Sequence, residues 1–314
     1  AWHIKSTWQD EPVRPMLEDM INRVETHEHI NVLKNARVTS CTGSVGNFTS
    51  DIEAGDATRS FNYGIAVMAT GAEEYKPKEY QYGKDDRIMT QLDFDAFVDQ
   101  QPKKIESAQS VAFIQCVGSR RTERPYCSRL CCTHSVKSAI HLKEMNPDIN
   151  VYVLHRDIRT YGPREELYTK ARNLGVIFLR YTLEDRPVVV KEDDEWFIET
   201  FDKIIREPVK IYINYLVLAA AVLPNDISDL SELYKCNVNQ DGFLNEAHPK
   251  LRPVDMSVDG MFLAGLCNFS KPVEESIAQA KASVSRASAI LSQQSMQLDA
   301  IKSSVTDRCD GCGL

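Results

Sequence analysis

No apolar run in this chain of 314 residues approaches the roughly 20 needed to cross a bilayer. The longest, 215–223, has the length of a buried strand. Direct membrane insertion is therefore not expected, and any membrane or quinone link would come through partner subunits. A basic excess is missing too. With a formal net charge of −8, the chain lacks the electrostatic footprint of a nucleic-acid binder. The sequence shows neither a secretory leader nor the small, bridge-rich character of a secreted domain. Its nine cysteines thus point to a reducing, cytoplasmic setting and to metal or redox use. Glycine-rich phosphate loops are also absent: no Gly-x-Gly-x-x-Gly turn follows a strand here.

What remains is ordinary for a globular protein. At 43% hydrophobic and 26% charged residues, neither disorder nor a membrane class is indicated, and the length allows one large or two modest domains. Val13, Leu17, Met20, Ile21 and Val24 recur at helical spacing and predict an amphipathic helix reaching Thr26. Short strands are expected at 30–33, 36–40, 46–52 and 60–68, punctuated by Gly43, Gly46 and Gly55. Residues 73–106 read as a polar connection with one helix at 92–99, capped by Thr90. Then strand and helix alternate: strand 111–115, helix 131–145, strand 150–154, helix 164–174, strand 176–180. That alternation predicts a parallel sheet, and the runs 187–191, 196–201 and 209–213 predict an antiparallel flap on it. A strand at 216–221 is expected to return to the first portion. A short helix at 227–234, a strand at 261–265 and a long helix from about Ser270 complete the chain.

The stretch 111–137 organises the rest. A buried strand runs into a turn holding Gly118 alone, and Cys116 stands where a phosphate loop would be. Cys127, Cys131 and Cys132 follow before the helix. Four thiols thus gather at the carboxyl end of one strand, where open α/β sheets place their ligands. Four thiolates suit a [4Fe–4S] cluster or a tetrahedral zinc. The adjacent pair Cys131–Cys132 fits a zinc knuckle poorly and a cubane better, while plain buried or redox-active cysteines remain the third option. Cys41, Cys236 and Cys267 are isolated in sequence and read as small buried apolar residues.

The runs Phe-Ile-Gln-Cys-Val-Gly-Ser-Arg at 113–120, Tyr-Cys-Ser-Arg-Leu-Cys-Cys at 126–132 and His-Arg-Asp-Ile-Arg-Thr-Tyr-Gly at 155–162 resemble the A subunit of heterodisulfide reductase. The likeness runs from about Val38 to Cys312. The resemblance implies an α/β, thioredoxin-reductase-like two-domain flavoprotein fold carrying FAD and a [4Fe–4S] cluster. Residues 1–72 and 216–296 would be the FAD-domain-like portion, and 73–215 the inserted portion with the cysteines. It further implies that Cys116, Cys127, Cys131 and Cys132 hold the cluster. Thr70 and Gly71, after a strand, and Gly265, Glu275 and Ser276, around the start of the last helix, would contact the flavin. Lys137 would face the flavin and stabilise its reduced, anionic form. Where relatives place an acidic residue after that glycine, this chain has Leu266. His155, Arg156 and Arg159 could hold a nucleotide 2′-phosphate only with a phosphate loop; a role supporting the cluster or a protein contact is expected instead.

At the carboxyl terminus, Cys309 and Cys312 look like the first half of a ferredoxin motif, C-x2-C-x2-C-x3-C. The opening FAD strand–turn–helix is missing, so both ends are expected to be cut from a longer polypeptide. The expected activity is electron transfer within an anaerobic complex, with other subunits and a ferredoxin-like domain or carrier as partners. The rivals are an NAD(P)H-dependent thiol oxidoreductase and a zinc-stabilised docking scaffold.

Overall fold

The computed structural model describes residues 6–297; Cys309 and Cys312 lie outside the described residues. Helix α1 (Val13–Thr26) forms as its spacing predicts, yet only Val13 is buried. Met20, Ile21 and Val24 are left exposed. An antiparallel meander follows: β1 (Ala36–Ser44), β2 (Asn47–Ala54) and β3 (Ala57–Tyr63). No strand forms at 30–33. Ile30 and Val32 are exposed there, and an apolar pair without a neighbouring strand has no ladder to join.

The expected strand 60–68 is two. β3 stays in the meander, while β4 (Ala66–Met68) pairs in parallel with a strand from 195 residues later in the chain. Gly64 marks the break, its carbonyl accepting from the Gly46 amide at 2.8 Å. β5 (Ala72–Glu74) then leads to an edge strand, β6 (Ile88–Thr90), and to α2 (Gln91–Gln100). The Thr90 hydroxyl caps α2, accepting from the Asp93 amide. A short α3 (Pro102–Glu106) was not anticipated, and neither was β6. Five and three residues are too few to show a period.

β7 (Ser110–Val117), α4 (Cys131–Met145), β8 (Asn150–His155), α5 (Glu165–Asn173) and β9 (Ile177–Arg180) build the expected alternating unit. The hairpins β10 (Val188–Glu192), β11 (Glu195–Asp202) and β12 (Glu207–Ile213) form the antiparallel flap. β13 (Tyr215–Ala220) corrects the sequence reading. It does not leave for the first portion; it lies between β6 and β7 in one parallel sheet, order β6-β13-β7-β8-β9. All of Leu216, Val217 and Leu218 are fully buried, as a central strand covered on both faces requires.

Successive residues of β7 explain the layering. Val111 and Phe113 point to a helix-side core with Phe94 of α2 and Val136 of α4. Ala112 and Ile114 point to the flap side, against Trp196 and Ile198. The sheet is thus closed by helices on one face and by the flap on the other. After β13, β14 (Val222–Pro224) pairs antiparallel with β5. Helix α6 (Ser228–Tyr234), β15 (Met261–Leu263) and α7 (Val273–Leu291) complete the described chain. β15 is the partner of β4, and a second core of Phe48, Met68, Leu244, Met261 and Leu263 forms around that pair.

Candidate metal centre

Cys116 lies one residue before the end of β7, with its backbone in the left-handed region at φ 60°. The ladder to β13 slips between Leu218 and Ala220 at the same level, so the strand is bent where it releases the cysteine. Gly118 (φ 76°) and Arg120 (φ 56°) continue the turn. Non-glycine residues in this region are uncommon and collect at functional sites. The loop then folds back and is stitched to β14: the Tyr126 hydroxyl donates to the Val222 carbonyl at 2.9 Å, and the Val222 amide to the Ser128 hydroxyl at 2.9 Å. Arg129, again left-handed at φ 59°, hands the chain to α4, whose first two residues are Cys131 and Cys132.

All four cysteines line one small cavity, together with Arg120, Arg129 and Arg159. Cys131 and Cys132 are buried, and Cys116 and Cys127 partly so, all as free thiols. Each sulfur meets a polar group of the chain. The Arg129 amide donates to Cys127 Sγ at 3.4 Å, and Arg120 Nη1 to Cys116 Sγ at 3.7 Å. Cys131 donates to the Ala220 carbonyl at 3.7 Å, and Cys132 to the Asp157 carbonyl at 3.9 Å. Burial raises the Cys116 thiol against the pull of Arg120. Burial, then the neighbouring thiols, pushes Cys131 well above its ordinary value, and burial pushes Cys132 to about 12. A metal bound by Cys116, Cys131 and Cys132 would have to overcome that bias toward the protonated thiol.

Among the described residues, no three such side chains converge closely enough to hold one metal ion. With Zn–S near 2.3 Å, thiolates on a single zinc sit within about 4 Å of each other. The four cysteines do share the lining of one space.

A second cleft, of ≈ 130 Å³, opens between the N-terminal ends of α4 and α7. Thr133, Lys137, Tyr161, Pro272 and Val273 are among its lining residues. The Thr133 hydroxyl oxygen is buried and has no hydrogen-bond partner among the described residues. Lys137 reaches this cleft, but its ammonium is held by Asp10 at 2.9 Å and the Ser6 hydroxyl at 2.7 Å. Glu275, in the first turn of α7, accepts from Arg129 at 3.0 Å and from the Tyr161 hydroxyl at 2.7 Å. Burial works against its charge, yet Tyr161 and Arg129 hold its carboxyl below the ordinary range. Ser276 only closes the helix start, donating to the Pro272 carbonyl.

Thr70, Gly71 and Gly265 gather elsewhere, past the carboxyl ends of the paired strands β4 and β15. The Thr70 carbonyl accepts from Asn225 at 2.6 Å, and the Gly265 amide donates to Gln279 at 2.8 Å. Two residues near α7 escaped the sequence reading. Arg129 joins the cysteine loop to Glu275 across 146 residues of sequence, which no local pattern signals. Lys271, 8% exposed, donates to the Gly265 carbonyl at 2.7 Å and is depressed by burial; its only sequence signal was its place just before a helix start.

No family model matches the chain. Among curated proteins it is 32% identical over 271 residues to an iron-sulfur A subunit, the second of two, of the CoB–CoM heterodisulfide reductase of Methanopyrus kandleri, covering 80% of this chain and 41% of that protein. It is 33% identical over 270 residues to the iron-sulfur A subunit of the Methanocaldococcus jannaschii enzyme, covering 79% and 40%. Over four fifths of its length the chain is thus similar to heterodisulfide reductase A subunits. It spans about two fifths of the length of these relatives. Among solved structures, thioredoxin reductase of Lactococcus lactis superposes with a TM-score of 0.55 at 14% identity, covering 89% of this chain and 82% of that one. The thioredoxin reductase of T. acidophilum gives 0.54 at 16%, covering 89% and 80%. At such identities these show the fold alone: the chain is thioredoxin-reductase-like, as its resemblance implied.

Proposed function

We propose that this chain is the electron-transfer portion of an FAD- and iron–sulfur-dependent oxidoreductase of the heterodisulfide reductase type. One observation carries the reading: Cys116, Cys127, Cys131 and Cys132, from a strand end, a loop and a helix start, line a single cavity. The relatives' own designation as iron-sulfur subunits supports it. A [4Fe–4S] cluster there, with FAD beside it, would supply one-electron carriage and its exchange with two-electron chemistry. The chain's residues do the rest. The four sulfurs would hold the cluster, with Arg120, Arg129 and Arg159 beside them. The α4–α7 cleft, with Thr133 and Lys137 at its walls and Glu275 bonded to Arg129 of its lining, is our candidate for the flavin ring. Lys137 would exchange Asp10 for the flavin and stabilise its anionic form. Thr70, Gly71, Gly265 and Ser276 would line the remainder of the FAD path.

In this reading the cysteine-bearing portion is inserted into the FAD-like portion and extends through β13. Cys309 and Cys312 begin a ferredoxin-like segment, and the partners are other subunits of a complex together with a ferredoxin-like domain or carrier. The setting is the anaerobic cytoplasm, which suits thiols that must stay reduced. None of the described helices is long and apolar enough to cross a membrane.

Anaerobic reconstitution tests the proposal. The protein should bind about four irons per chain beyond any at Cys309 and Cys312, with broad visible absorption. Cys131→Ser and Cys132→Ser should abolish that centre, whereas Cys41→Ser should leave it. A colourless protein that takes up zinc alone would overturn the reading.

A further inference from the structure

Arg120 turns back on the cysteine four residues before it. Its guanidinium is 15% exposed, and Nη1 lies 3.7 Å from Cys116 Sγ. Both Arg120 and Cys116 hold left-handed backbone, at φ 56° and 60°. L side chains rarely adopt that region, and the turn it forms brings the guanidinium back to the sulfur. The same guanidinium is gripped from its other side by the Asp157 carboxylate. Asp157 in turn accepts from Arg159 Nε at 3.1 Å and Nη2 at 3.0 Å. Arg120 and Arg159 line the cysteine cavity, and Asp157 is absent from its lining. A cation therefore touches a ligand sulfur, with an anion behind it.

We propose that Arg120 sets the reduction potential of the centre held by the four cysteines, and that Asp157 moderates it by sharing the guanidinium. The inference rests on the iron–sulfur reading above. Reduction adds one electron to the centre, makes and breaks no bond, and spreads negative charge onto the sulfurs. Net charge and hydrogen bonds to sulfur are the levers by which a protein tunes such a centre. A partly buried cation donating to Cys116 stabilises the reduced form more than the oxidised one. The Asp157 carboxylate, drawing on the same donor and bringing its own negative charge, works in the opposite sense.

The test is a potentiometric titration with dithionite, followed by low-temperature electron paramagnetic resonance on the full reconstituted chain. Arg120→Gln should shift the midpoint down. At a fixed potential the reduced-to-oxidised ratio should fall about tenfold or more, the scale of one charge-assisted hydrogen bond. Arg120→Lys should fall between, and Asp157→Asn should shift the midpoint up. Opposite signs are the signature, because a merely structural role would move both variants the same way or release iron. Should Arg120→Gln fail to take up iron, Asp157→Asn decides: an upward shift supports the proposal and an unchanged midpoint overturns it. Equal midpoints in iron-replete wild type and Arg120→Gln also overturn it, while leaving the cluster in place. A wild-type chain that binds no iron in this centre overturns the iron–sulfur reading and this inference together.

Discussion

Gly118 and His155 show how single residues bear on this site. A Cβ on Gly118 would stand 2.3 Å from the Tyr75 ring, at a φ of 76° that side chains avoid. Tyr75 also lies under the Arg124 guanidinium, 4.3 Å from its centre. Gly118→Ala should destabilise the fold by about 1–3 kcal/mol in urea unfolding and should weaken iron retention. His155, at the end of β8, is pushed down to about 4 by burial and by the nearby Arg180 charge. Its Nδ1 is buried without a hydrogen-bond partner among the described residues. Below about pH 6.5 the unfolded chain takes up a proton there that the folded chain refuses until about pH 4. Stability contributed by this group is therefore whole above pH 6.5 and is lost as pH falls to 4. His155→Phe keeps the ring contact with Phe178 and should flatten that limb of the stability profile. At this scale the grouping of the cysteines around one cavity was legible, because four thiols fall within seventeen residues. The left-handed backbone at Cys116 was not, since nothing about cysteine favours it.

Helix starts govern the element scale. The Thr90 hydroxyl both accepts from the Asp93 amide and donates to its carboxylate at 2.8 Å. Thr90→Ala should cost about 1 kcal/mol, read as a lower unfolding midpoint. The starts of α4 and α7 are tied by Arg129 and Glu275, each about a third exposed. A double-mutant cycle with Arg129→Gln and Glu275→Gln should give a coupling of roughly 0.5–1 kcal/mol, modest because solvent screens the pair. Zero coupling would mean that the two helix starts are held by packing alone. The helices themselves were readable: α1 and α4 begin and end where periodicity and Asn146-Pro147 place them. What joins one start to the other was not, because a salt bridge between distant segments leaves no local pattern.

Across the whole molecule, the four cysteines draw on β7, the loop after it and α4, so a centre bound there exists only in the folded chain. Loading iron should raise the unfolding temperature, and its removal by a chelator should lower Tm by on the order of 5 °C or more. Equal Tm values with and without iron would place the metal on a segment that does not depend on the fold. The sequence by itself determined the alternating α/β unit, the flap and the grouping of the four thiols, because periodicity, turn residues and cysteine spacing are local quantities. Only the tertiary structure decided that β13 threads between β6 and β7, that β4 leaves its hairpin for β15, and that Arg120 and Arg129 close on the cysteines. Those choices depend on which buried backbone groups find partners and which charges meet across long separations. Such partners are selected by three-dimensional packing, and neighbours along the chain carry no record of them.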